Sequence, residues 1–203
     1  MLFFNTPSPA PNPRRVRIFA AEKGISLPTR DISIIAGEHK ADDYLALNAR
    51  GQTPSLQLDD GTVIAESVAI CRYLEGVHPE PPLFGRDARE QALIEMWSRR
   101  VEMILMPPVG AVWVHTHAFT ARLPGRNAEW GEANRPRALD ALRFFDSSLC
   151  DREFLAADHY SIADILLLTT VDFAAFIGIE MPDDLASLRA WHARVSARPS
   201  AVA

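Results

Sequence analysis

The sequence predicts an α/β module followed by an all-helical module. Three observations point there. Residues 1–77 alternate short apolar or period-two runs with runs of helical period. Residues 87–203 carry helical periodicity only. Between them, residues 78–86 hold three prolines and one glycine, which break both patterns and mark a linker. At 203 residues the chain can bury a sizeable core, and 48% hydrophobic with 23% charged residues is the range of globular proteins.

Leu2-Phe3-Phe4 is an apolar run that predicts a first strand. Pro7, Pro9 and Pro11 then forbid helix and remove ladder donors. Asn12-Pro13 reads as a helix start, with Asn as cap and Pro at the first position. Val16, Phe19 and Ala20 follow on one face, and Gly24 ends the helix. Leu27 to Ile35 predicts a second strand, and Ala41 to Leu47 a short helix. Residues 55–58 and 62–65 flank Asp60-Gly61, which predicts a hairpin. Glu66-Ser67 opens a helix carrying Ile70, Tyr73 and Leu74.

In the second module Leu93, Trp97, Val101, Ile104, Val109 and Val112 predict one long helix, kinked at Pro107-Pro108. Ala118 to Ala128 reads as a loop, and Ala138, Leu142, Phe145 and Leu149 mark a helix starting near Asn134. Ser161 and Asp164 have the spacing of a capping box. Asp183 to Val195 predicts the last helix. Trp97, Trp113, Trp130 and Trp191 are expected mostly in the core, with an apolar pocket lining as the alternative for Trp113; Arg14, Arg15 and Arg17 fit a solvated face, or one of them points at a ligand.

The net charge of −5, from 21 basic and 26 acidic side chains, argues against nucleic acid as the partner, because phosphate binding needs a basic face. Cys71 and Cys150 are too few for a disulfide framework or a zinc cage, so no metal is expected and a reducing, cytoplasmic setting fits. The most apolar stretch, 162–179, is interrupted by Asp164 and Asp172, which predicts a buried helix and not a membrane span. Met1 to Asn5 lacks the features of a signal peptide.

Residues 48–74 are the most informative. Thr53-Pro54 stands between a helix exit and a strand, where a cis bond turns the backbone sharply and leaves the amide and carbonyl of Thr53 open to an extended peptide. Glu66-Ser67 begins a helix, whose unpaired N–H groups and Ser hydroxyl suit an anion. Asn48, Gly51, Pro54, Leu56, Asp60, Gly61, Glu66, Ser67, Ala69, Ile70, Tyr73 and Leu74 together resemble the pattern of the glutathione transferase superfamily. Phe154 to Asp158 and Ser161 to Asp164 resemble its helical half.

The resemblance implies a thioredoxin-like glutathione-binding domain over 1–77, a linker over 78–86 and a helical domain over 87–203, in a homodimer. It implies that the Thr53 backbone before a cis-Pro54 pairs with the cysteinyl part of glutathione. It implies that Glu66 and Ser67 hold the γ-glutamyl end. His39 and Lys40 would then form a local cationic site for the glycine carboxylate.

A free thiol is only a few per cent ionised at neutral pH, and lowering its pKa by ~2 units takes ~2.7 kcal/mol. Most of the superfamily supplies Tyr, Ser or Cys after the first strand. Here that loop offers Thr6 and Ser8, with no Tyr or Cys. With Pro13 to Ile18, residues 37–40, Val112 to His117 and Glu129 to Gly131, it resembles an atypical fungal and bacterial type two subgroup. There a water held by a His and a Ser of the helical domain takes the thiol proton. His115 is the first carry-over for that histidine and His117 the second, with Ser8 as the remaining hydroxyl; the subgroup's serine has no counterpart near Ala111. The reaction implied is attack of the glutathione thiolate on a small, mostly apolar electrophile. The alternatives are a non-catalytic glutathione-binding module, or glutathione-dependent reduction, isomerisation or dehalogenation on the same fold.

Overall fold

The computed structural model describes residues 1–7 and 9–203. Contacts divide the chain into two compact units, Met1–Leu83 with Pro199–Ala203, and Phe84–Arg198. The division falls inside the proline-rich segment. The last five residues, which the sequence assigns to the helical half, pack with the first unit.

The first unit is built from β1 (Leu2–Asn5), α1 (Pro11–Glu22), β2 (Thr29–Asp31), α2 (Asp42–Leu47), β3 (Ser55–Gln57), β4 (Val63–Ala65) and α3 (Ser67–Val77). The sheet runs β2-β1-β3-β4, with β1 parallel to β2 and the other pairs antiparallel. Period-two alternation gives β1 two buried faces. Phe4 packs with Ile32 and Tyr44 of the α2 side, while α1 packs on α3. Each such Phe contributes roughly 1.5–3 kcal/mol by leaving water.

Three expectations change here. The second strand stops at Asp31, because the Ser33 Oγ accepts from Ala36 N (3.0 Å) and Glu38 Oε2 from Ser33 N (2.7 Å). Those side-chain bonds offer the backbone a turn in place of a ladder. Helix α1 begins at Pro11, so Asn12 lies in its first turn and is not the cap; its Oδ1 accepts from Arg15 Nη1 at 2.6 Å. Arg15 is therefore buried, not on a solvated face. Lys23, its side chain fully covered, donates to His78 O and Pro81 O (2.7 Å each) and pairs with Glu75, tying the proline-rich segment to α1.

The second unit contains α4 (Ala88–Arg100), α5 (Met106–Thr116), α6 (Ala128–Ala133), α7 (Arg135–Leu149), α8 (Ile162–Phe176) and α9 (Ala186–Ser196). The single kinked helix is two helices joined by a π-helical turn, Val101–Leu105. Pro107 and Pro108 lack N–H groups and crowd the preceding turn, so the widened turn comes just before them. A helix the sequence did not predict, α6, follows the expected loop and is capped by Asn127 Oδ1, which accepts from Trp130 N at 2.9 Å. Trp97 and Trp191 are core residues, but Trp130 is 50% exposed.

Helix α8 is buried nearly all round, which only a helix surrounded by others can be. The capping box at its start is complete. Asp164 accepts from Leu155 N (2.8 Å), Trp191 Nε1 (2.9 Å), Ser161 N (3.1 Å) and Ser161 Oγ (3.0 Å). Those bonds join α8, α9 and the 155 loop at one fully buried carboxyl. Burial dominates and raises its pKa, with the donors working in the opposite direction. No helix is long and apolar enough to cross a membrane.

Candidate active site

In the first unit the Thr53–Pro54 bond is cis. A hydrogen-bond network pins the segment that carries it. Tyr44 Oη donates to Gln52 O (2.7 Å), and Asn48 Nδ2 donates to Gln52 O (2.8 Å) and Ser55 Oγ (3.2 Å). Tyr44 Oη also stands 3.1 Å from Ser55 Oγ. Burial raises the pKa of Tyr44, so its phenol stays a donor at neutral pH. Gly51 is required below this network. Its φ is +56°, and a Cβ there would stand 2.5 Å from His39 O and 2.9 Å from Lys40 Nζ. Sequence reading quoted Asn48 and Gly51 as motif positions but missed Tyr44 and Ser55, because their pairing crosses from α2 to β3.

Thr53 has its hydroxyl 2.7 Å from that of Thr6, and Thr6 Oγ1 donates to Ile32 O at 3.1 Å. Thr6 has one proton and gives it to a carbonyl, so Thr53 donates to Thr6. Thr6 is then not a free donor for a thiolate. Ser8, the other hydroxyl of the loop, lies outside the described residues.

Glu66 is the only described non-glycine residue with positive φ, at +68°. Such backbone strain costs of order 1–3 kcal/mol and persists where a site needs it. Glu66 occupies the cap position of α3 without any side-chain capping bond, and Ser67 is the first helical residue. The leading N–H groups of α3 are thus left for another acceptor.

His39 and Lys40 form a single 3-10 turn before α2. Burial, then the charge of Lys40, lower the pKa of His39, so the ring is neutral at pH 7. The cationic pair expected from the sequence is therefore one cation, Lys40, whose Nζ donates to Arg50 O at 2.9 Å. His39 Nδ1 is buried without a hydrogen-bond partner.

In the second unit His115 ends α5, and its Nδ1 accepts from Asn127 N at 3.1 Å. His117 follows the helix, and its Nδ1 accepts from Phe119 N at 3.2 Å. A neutral imidazole holds one proton, so both rings carry it on Nε2 and present an N–H there. Gly131 of α6 makes the close approach possible, since a Cβ would lie 2.5 Å from Thr116 Cγ2 and 2.9 Å from His115 Cβ. Arg126 Nη2 and Thr120 Oγ1 donate to His117 O, at 3.2 and 2.7 Å. Sequence reading missed both. Trp113 packs at a tilt against His117 (ring centroids 4.6 Å) and meets Phe173 edge-on (5.2 Å), forming an aromatic wall.

Residues 10–77 match the family model "Glutathione S-transferase, N-terminal domain", and residues 104–199 match "Glutathione S-transferase, C-terminal domain". Glutathione S-transferase 2 of Saccharomyces cerevisiae is 39% identical over 206 residues, covering 98% of this chain and 87% of that protein. This chain belongs to the glutathione S-transferase family. The crystal structure of Gtt2 from Saccharomyces cerevisiae matches this transferase with a TM-score of 0.92 and 37% identity over 98% of both chains. That of a glutathione S-transferase domain-containing protein from Marinobacter aquaeolei VT8 matches with a TM-score of 0.93 and 37% identity, over 98% and 99%.

The two cysteines of the transferase differ in burial. Cys71 is buried, and that burial pushes its thiol pKa far above the ordinary range. Cys150 is exposed at the end of α7. Among the described residues, Glu90, Asp158 and His159 have the spacing of metal ligands. Arg86 already engages all three, with its guanidinium 3.2, 2.5 and 2.5 Å from Glu90 Oε2, Asp158 Oδ1 and His159 Nδ1.

Proposed function

We propose that this transferase conjugates the thiolate of glutathione to small, mostly apolar electrophiles. The sulfur–carbon bond forms as the leaving group departs with its bonding pair, and the thiol proton passes to solvent. The observation that carries the glutathione reading is the open start of α3, where strained Glu66 and Ser67 leave the first N–H groups without a side-chain cap. A γ-glutamyl carboxylate suits those donors and Ser67, while its ammonium suits the exposed carboxylate of Glu66. Thr53 offers its backbone to the cysteinyl part, and Lys40 its charge to the glycine carboxylate. Neutral His39 takes the glycine end by a hydrogen bond.

For thiol activation we propose His115, with His117 second, acting as a donor. An imidazole holding its proton on Nε2 stabilises a thiolate or a water beside it by donating that hydrogen bond; it does not abstract the proton. A glutamine, which also donates, then replaces it better than an alanine. Ser8 is the remaining candidate.

Glutathione is expected to raise the melting temperature, and its absence of effect overturns the binding reading. The pKa of bound glutathione, followed by thiolate absorbance, is expected to rise in His115→Ala and to recover in part in His115→Gln. A thiol pKa unchanged by His115→Ala, His117→Ala and Ser8→Ala removes all three. A homodimer in the cytoplasm fits this reading, and light scattering tests the first part.

A further inference from the structure

The first unit holds a cavity of ≈ 530 Å³ lined by Asn5, Pro7, Arg14, Arg17 and Asp31, with residues 201–203 beside them. Asn5 and Asp31 are paired at the carboxyl ends of parallel β1 and β2. Ligands of α/β sheets gather outside such strand ends. Arg14 and Arg17, three residues apart, share one face of α1.

Arg17 Nη1 donates to Asn5 Oδ1 (2.6 Å) and Thr6 O (3.3 Å), both neutral acceptors. Its Nε and Nη2 have no hydrogen-bond partner among the described residues. Arg14 Nη2 donates to Ala201 O at 2.9 Å. The side-chain carboxylate of Asp31 accepts from Asn5 Nδ2 at 2.6 Å. Arg14, Arg17 and Asp31 thus line one cavity, in a chain whose net charge is −5. Burial and the charge of Arg14 lower the pKa of Arg17, and the charge of Asp31 acts against them. The free edge of a guanidinium is a fork that matches two oxygens of a carboxylate. Thr6 connects this cavity to the thiol cradle, because its carbonyl accepts from Arg17 and its hydroxyl from Thr53.

We propose that this cavity is a subsite for a carboxylate on the co-substrate, so that the enzyme favours electrophiles carrying one. The proposal rests on the conjugation reading above. The test compares 4-chloro-3-nitrobenzoate with 4-chloro-3-nitrobenzamide at saturating glutathione. In each the C–S bond forms, the C–Cl bond breaks and chloride leaves with the electron pair. Arg17→Gln is expected to lower the benzoate-to-benzamide ratio of kcat/KM about tenfold or more, mainly through KM. Arg17→Lys should fall between, and Arg14→Gln should lower the ratio independently if Arg17→Gln fails to fold. An unchanged ratio, or equal losses on both substrates, overturns the proposal. If the wild type turns over neither compound, the conjugation reading fails, and calorimetry with 3-nitrobenzoate decides the subsite. Loss of that binding in Arg17→Gln supports it; equal binding overturns it. Inorganic phosphate competing as strongly as 3-nitrobenzoate overturns the assignment to an organic carboxylate.

Discussion

Two helix starts in this protein look alike in sequence and differ in everything else. Both pair an acidic residue with a serine, Glu66-Ser67 before α3 and Ser161 with Asp164 in α8. At α8 every group is answered. Asp164 takes four donors, and the serine and carboxylate cap the helix reciprocally. At α3 no side chain caps the helix, and Glu66 is held in the left-handed region. A closed helix start holds the protein together. In the proposed reading an open one keeps its donors for a ligand, and the strain at Glu66 is the cost of keeping them in place.

Substitutions sharpen that contrast. The largest effect is expected from Asp164→Ala, which strands buried donors on three segments. It should lower unfolding free energy by about 4 kcal/mol in urea titration. A loss below about 1 kcal/mol would erase the distinction. Ser67→Ala should do the reverse, changing stability by less than about 1 kcal/mol while weakening glutathione roughly tenfold or more in calorimetry. Glu66→Gly should relieve the backbone and stabilise the fold by about 1 kcal/mol, yet weaken glutathione by removing the partner of its ammonium.

The smallest effect is in pH. The pKa of Asp164 is raised in the fold, so its contribution is fully present below the unfolded value of about 4 and is lost as pH rises through the folded value. Over that interval the wild type should lose stability relative to Asp164→Asn, and parallel curves would contradict it.

Much of this was legible in the chain. The capping box was visible because its partners lie three residues apart and answer each other locally. The hairpin at Asp60-Gly61, the cis Thr53–Pro54 bond and the buried α8 were legible for the same reason. Short-range rules failed where side chains competed with the backbone, as at Ser33 and Glu38, which end β2 early. They also failed at α6, whose six residues are too few to show a period.

The sequence by itself determined the two-part architecture, the family and the residues proposed for glutathione, because period, turn chemistry and capping act over a few residues. Only the tertiary structure decided their states. It lowered the pKa of His39 through burial, which distant packing sets, and through the charge of Lys40. It put the protons of His115 and His117 on Nε2, because Asn127 and Phe119 supply the N–H groups that Nδ1 accepts. It also set Arg14 and Arg17 around a cavity at the ends of β1 and β2, which takes a sheet to assemble.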